Sequence, residues 1–157
     1  MNELFMREAR AEDLELLKMI CYEAYISMNE LGIKSRSGDL SSRLSDWLSD
    51  GSLFALCDAK DRLIGAAAYR IETGENGERS LVIEDAVLDR MHRGQGLSDR
   101  LYSYSERIGR QRGCSLLAVC ADGDNFILRS SLIRNGFSFE RLTEDNGVLK
   151  YKYEKKI

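Results

Sequence analysis

Two neighbouring carboxylates and a glycine pair carry most of the chemistry this chain can offer. Glu84 and Asp85 interrupt a strand-like run of apolar and β-branched residues, Leu81 to Leu88. Side chains alternate along a strand, so Glu84 shares a face with Val82, Ala86 and Leu88, and Asp85 with Leu81, Ile83 and Val87. Desolvation by apolar neighbours makes a carboxylate a stronger base, suited to take a proton from an ammonium or a relayed water. The plainer alternative is a carboxylate satisfied by an arginine or by backbone N–H groups beside the sheet.

Further along, Arg93-Gly94-Gln95-Gly96-Leu97-Ser98 separates this strand from Leu97, Leu101, Tyr104 and Ile108, which recur at helical spacing. A glycine turn at a helix start gathers unpaired N–H groups and the positive end of the helix dipole, a place for phosphate. The stretch is not a P-loop, because Leu97 and Ser98, not Lys-Ser or Lys-Thr, follow its last glycine. Nor is it a dinucleotide fingerprint, whose third glycine is missing. Arg-x-x-Gly-x-small remains, as a phosphate cradle or as a turn that needs glycine for its backbone alone.

The elements around these residues are ordered. Phe5 to Arg7 reads as a strand, and Leu14, Leu17, Cys21 and Ala24 as the apolar stripe of a helix. Asn29 to Gly38 reads as a loop, after which Asp39 can cap a helix carrying Leu40, Leu44, Trp47 and Leu48. Strands follow at Leu53 to Cys57, Leu63 to Ile71 and Ser80 to Leu88, then the glycine loop and a helix from Leu97 to Arg112. Ser115 to Ala121 is a buried-type strand, and Asn125 caps a short helix that stops at Asn135-Gly136. Phe137 to Leu142 and Val148 to Glu154 close as a hairpin. A mixed α/β (α+β) domain spanning 1–157, its sheet flanked by helices on both faces, is the economical way to bury this order.

Composition narrows the partners. With 157 residues, 43% of them hydrophobic, the chain can bury a core, and no apolar run is long enough to cross a membrane, so a soluble cytoplasmic protein is expected. A net charge of −3 gives no broad basic field for nucleic acid. Cys21, Cys57, Cys114 and Cys120 are scattered and His92 is the single histidine, so no metal is expected and reduced thiols are.

The Arg93 to Ser98 pattern, the element order, the opening Met6 to Asp13, the late Asn125 and Gly136-Phe137 together resemble the GCN5-related N-acetyltransferase superfamily. The resemblance covers nearly the whole chain, with Ser98 a mild departure at the last small position. It implies a mostly antiparallel sheet of six or seven strands, splayed between the fourth and fifth, and acetyl-CoA as co-substrate. Leu88, Arg93, Gly94, Gln95, Gly96, Leu97, Ser98 and Asn125 would then hold the cofactor, with the loop around its pyrophosphate and Leu88 meeting it through its backbone.

The run Ile83-Glu84-Asp85 ahead of Arg93-Gly94-x-Gly96 also looks like the spermidine/spermine acetyltransferase branch, which implies Glu84 as base and Asp85 as substrate contact. The implied acceptor is a small-molecule primary amine, a polyamine-like one among the candidates, with a protein or peptide amine, or a non-catalytic acyl-CoA-binding module, as alternatives. Homodimers through late strands are common in the family, which makes a second copy a candidate partner. One position departs: many members have a Tyr to protonate the leaving thiolate where this chain has Leu132. Cys120, Ser131, Tyr151 and Tyr153 are substitutes at unmatched spacing, and His92 stands where the family has Tyr or Phe.

Overall fold

An arginine and an aspartate fasten the beginning of the chain. Strand β1 (Leu4–Glu8) leads through a short 3-10 turn, Ala11–Asp13, into helix α1 (Leu14–Glu30). Asp13, only 6% exposed, accepts the Arg10 N–H at 2.7 Å and Arg7 Nη1 at 2.7 Å, while Arg7 Nε reaches Asp61 at 2.8 Å. The carboxylate therefore satisfies a free N–H at the helix start and neutralises the arginine.

The computed structural model describes residues 3–30, 37–92, 96–145 and 147–157, with side chains except at 25–30, 37–42, 90 and 145. After α1 come α2 (Ser37–Asp50), β2 (Leu53–Asp58), β3 (Leu63–Thr73), β4 (Arg79–Leu88) and α3 (Leu97–Gln111). The chain continues through β5 (Leu116–Asp122), α4 (Phe126–Arg134), β6 (Ser138–Asp145) and β7 (Val148–Lys156). The seven strands form one sheet in the order β1-β2-β3-β4-β5-β7-β6. β1/β2, β2/β3, β5/β7 and β6/β7 are antiparallel, whereas β4 and β5 are parallel.

Most expected elements are present, with shifted ends. Of the expected loop at Asn29 to Gly38, residues 31–36 lie outside the described residues, and its two ends are helical, α1 running on through Glu30 and α2 beginning at Ser37. No strong breaker precedes Gly32, and Gly38 falls in a first turn whose N–H groups lack intrahelical partners in any case. Among the described residues no helix is long and apolar enough to cross a membrane.

The chain divides into two compact units, Met1–Tyr69 with Asp85–Ser98, and Arg70–Glu84 with Asp99–Ile157. In the first, Leu17, Ile20 and Cys21 of α1 pack with Leu44 of α2, Leu53 of β2 and the small Ala66 and Ala68 of β3. Ile20 and Cys21 follow Leu17 by three and four residues, which places them on its face of the helix. In the second unit Leu81, Leu101, Ile108, Leu117 and Leu132 are buried, and the Tyr102 and Phe137 rings lie 5.3 Å apart. Each fully buried leucine stabilises by about 2 kcal/mol.

Arg7 holds the Asp13 carboxyl below the usual carboxylate range, its hydrogen bond and charge outweighing the opposing effect of burial. Stabilisation from such a group is complete above the unfolded value, about pH 4, and is lost as pH falls through the lowered one. Asp13→Asn is expected to lower stability by about 3 kcal/mol at neutral pH. Denaturant unfolding across pH should show the gap to the wild type closing below about pH 4; parallel curves at every pH would contradict the pairing.

Candidate functional site

The parallel ladder that joins β4 to β5 is short. It pairs Ser80 with Leu116, Leu81 with Leu117, Val82 with Ala118 and Ile83 with Val119. β4 continues to Leu88 and β5 to Asp122. Glu84 is thus the first β4 residue beyond this pairing, and Asp85 to Leu88 follow it. Backbone groups along such a stretch need donors and acceptors from elsewhere.

Glu84 and Asp85 have different surroundings. Arg70 Nε donates to the Glu84 carboxylate and Arg70 Nη1 to Glu72. Lys152 Nζ lies 3.7 Å from Glu72, and the Lys152 side chain is only 10% exposed. Burial works against the Arg70 charge, yet the Glu72 hydrogen bond and the charges of Glu84 and Glu72 outweigh it and raise its pKa. The Arg70 hydrogen bond holds Glu72 below the usual carboxylate range. The arginine that could satisfy Glu84 is therefore present, and it is shared with a second carboxylate. Arg70 and Glu72, two apart on β3, were not singled out in the sequence, although strand alternation would have paired them.

Asp85 accepts its neighbour's Ala86 N–H at 2.9 Å. It lines a shallow cleft with Cys21, Leu44, Trp47, Leu53 and Val87, otherwise apolar. Burial first, and the Asp85 charge second, push the Cys21 thiol up to about 12, which keeps it neutral.

At Leu88 the β3 strand comes close. A Cβ on Gly65 would sit 2.5 Å from the Val87 carbonyl and 3.0 Å from Leu88 Cδ2, so only glycine lets the backbones approach there. The Asp89 N–H bonds the Ile64 carbonyl at 2.8 Å just beyond. Arg93, Gly94 and Gln95 of the glycine loop lie outside the described residues. Gly96 has φ of +72°, a conformation that calls for glycine without any ligand, and Leu97 is buried at the start of α3 with Ser98 beside it, half-buried. His92 Nδ1 lies 3.2 Å from Asp89.

Asn125 caps α4, its Oδ1 accepting the Leu128 N–H at 3.1 Å. Leu132 is fully buried, a packing residue. Of the substitute acids, Tyr153 is 2% exposed and its hydroxyl accepts from Arg129 Nε at 3.1 Å, while the Arg129 guanidinium lies 4.0 Å from the centre of the Tyr151 ring. Ser131 is buried, and Cys120 is half-buried opposite Lys152. Among the described residues no group of three or more His, Cys, Asp and Glu side chains could hold a metal ion.

A family model described as the acetyltransferase (GNAT) family matches residues 18–137. Among curated proteins, none matches this sequence significantly. Solved structures share the fold. A GNAT-family acetyltransferase from Streptococcus agalactiae aligns with a TM-score of 0.81 at 14% identity, over 98% of this chain and 95% of that one. The PaiA N-acetyltransferase of Thermoplasma acidophilum, in complex with coenzyme A, aligns with a TM-score of 0.77 at 19% identity, over 99% of each chain. Arabidopsis thaliana Naa50, bound to the bisubstrate analogue CoA-Ac-MVNAL, aligns with a TM-score of 0.67 at 17% identity, over 98% of this chain and 99% of that one.

The tight packing at Gly65 gives a direct check. Gly65→Ala is expected to cost about 2 kcal/mol by overpacking, a fall in melting temperature of about 4–8 °C for a chain of this size. An unchanged melting temperature would mean that β3 does not approach Val87 this closely.

Proposed function

Since the chain belongs to the acetyltransferase (GNAT) family, we propose that it passes the acetyl group of acetyl-CoA directly to the primary amine of a small molecule. The observation that carries this reading is the end of β4, which runs past its pairing with β5 and puts Glu84 and Leu88 on that overrun. Acetyl-CoA supplies the activated acyl group as a thioester. Its pantetheine arm pairs with the backbone around Leu88, and its pyrophosphate lies in the loop Arg93-Gly94-Gln95-Gly96-Leu97-Ser98, where N–H groups at the start of α3 favour negative charge. Asn125 meets the cofactor arm as well as capping α4.

Only a neutral amine can attack a thioester. Glu84 takes the proton from the acceptor's ammonium, directly or through a water. Its guanidinium partner competes with this, and Glu72 offers Arg70 a second carboxylate when Glu84 turns to the amine. Asp85 attracts the incoming cation. A backbone N–H near Leu88 donates to the thioester oxygen as negative charge builds there. Leu132 has no proton to give, so the proton that the nitrogen sheds as the amide forms reaches the departing thiolate through water.

The adjacent carboxylates suit a cationic amine, and the Glu84-Asp85 run taken alone suits a polyamine-like one. A peptide amine is the second reading, favoured by the likeness to Naa50 with its peptide-bearing bisubstrate analogue.

Glu84→Gln is expected to lower kcat/KM for amine acetylation by about 10²–10⁴-fold while leaving the Kd for acetyl-CoA unchanged. A variant that acetylates at the wild-type rate would remove Glu84 from the chemistry. Acetyl-CoA at about 100 times its Kd should stabilise the protein by about 2.7 kcal/mol in thermal unfolding. Stabilisation without turnover of any amine would point instead to a non-catalytic binding module, and no stabilisation would contradict the cofactor.

A further inference from the structure

We propose that Asp122 is a specificity residue for the acceptor, taking a neutral donor, an amide N–H, from the part of the molecule away from the reacting amine. The proposal rests on the acetyltransferase reading and narrows its acceptor class. Asp122 ends β5, and the registers show where its side chain stands. Val82 of β4 pairs with Ala118 of β5, and Ala118, Cys120 and Asp122 pair with Glu154, Lys152 and Lys150 of β7. Paired residues share a sheet face and alternate residues return to it, so Glu84, Cys120, Asp122, Lys150 and Lys152 lie on one face. Asp122 is on the strand next to that of Glu84, and both lie past the last pair of the β4–β5 ladder, Ile83 and Val119.

One Asp122 oxygen is incompletely satisfied. Oδ1 is buried and has no hydrogen-bond partner among the described residues. Lys150 Nζ lies 3.9 Å from it, near enough to balance its charge and too far for a hydrogen bond. Buried polar atoms in folded proteins almost always have a donor or acceptor, and one that lacks it invites a ligand group. The side chain as a whole is 28% exposed, and the soft torsion of a terminal carboxylate can turn this oxygen toward an entering molecule. The backbone beneath it is fixed, since the Asp122 carbonyl accepts the Asn125 N–H at 3.0 Å and the Gly123 carbonyl accepts Arg129 Nη1 at 2.9 Å.

Lys150 decides which donor fits. A second ammonium at Asp122 would meet the Lys150 cation, whereas a neutral N–H completes the carboxylate's hydrogen bonding and leaves the ion pair intact. An amino-amide is therefore preferred over a diamine of equal length, and over a plain alkylamine.

The test compares three acceptors that span five carbons, pentylamine, cadaverine and δ-aminovaleramide, with acetyl-CoA and the full chain. The readout is the ratio of kcat/KM between acceptors within each variant, with acetyl-CoA binding followed separately. The wild type is expected to favour δ-aminovaleramide over pentylamine about tenfold, the order that a hydrogen bond to a charged group is worth. Asp122→Ala should erase that ratio, and Asp122→Asn, which keeps a carbonyl oxygen, should retain most of it. Equal ratios in wild type and Asp122→Ala would overturn the proposal. So would a preference for cadaverine that Asp122→Asn abolishes, which would mean recognition of charge. A loss of acetyl-CoA affinity in Asp122→Ala with an unchanged ratio would overturn it too, assigning the oxygen to the cofactor arm. Failure of the wild type to bind acetyl-CoA or to acetylate any amine would overturn the acetyltransferase reading itself, and this proposal with it.

Discussion

The backbone N–H and C=O groups of a strand need partners, and β5 supplies them to β4 from Ser80 to Ile83. Its parallel pairing with β5 ends at Ile83 and Val119, yet the strand runs on to Leu88. Gly65 belongs to the same arrangement, because a side chain there would push against Val87 and Leu88. Gly96, in its left-handed conformation, turns the chain into α3 soon after. In the proposed reading an extended ligand carrying its own amides, the pantetheine arm of acetyl-CoA, lies along this strand end.

The adjacent carboxylates show how a single strand step separates two roles. Glu84 sits with Arg70, Glu72 and Lys152, a chain of alternating charges in which each anion has a cation beside it. Asp85 is set among apolar side chains and a neutral thiol, and its own backbone neighbour supplies one hydrogen bond. Arg70 is shared between the Glu84 and Glu72 carboxylates. In this account the ammonium displaces the arginine, which stays with Glu72.

Much of the architecture could be read from residue patterns, because its signals are local. The α1 stripe at Leu14, Leu17 and Cys21, the apolar runs of β2 to β5 and the Asn125 cap each follow from spacing over a few residues. The ends of elements were less legible. α1 continues through Glu30, and β3 and β7 extend over Glu72-Thr73 and Lys155-Lys156, where strand pairing needs no apolar side chain. The partners of the site were least legible. Arg70 meets Glu84 across the neighbouring strands β3 and β4, and Lys152 of β7 meets Glu72 of β3 with two strands between them, contacts that no short motif encodes. Leu132 stood out as a missing acid, and its complete burial explains why leucine is well placed there.

Amide hydrogen exchange with and without acetyl-CoA tests most directly whether the end of β4 receives the cofactor. The account predicts slowed exchange at Val87, Leu88, Leu97 and Ser98 on binding, with no change at Phe54 to Cys57 in the already paired β2. Acetyl-CoA that leaves exchange at Val87 and Leu88 untouched, or protects other strands in their place, would contradict it.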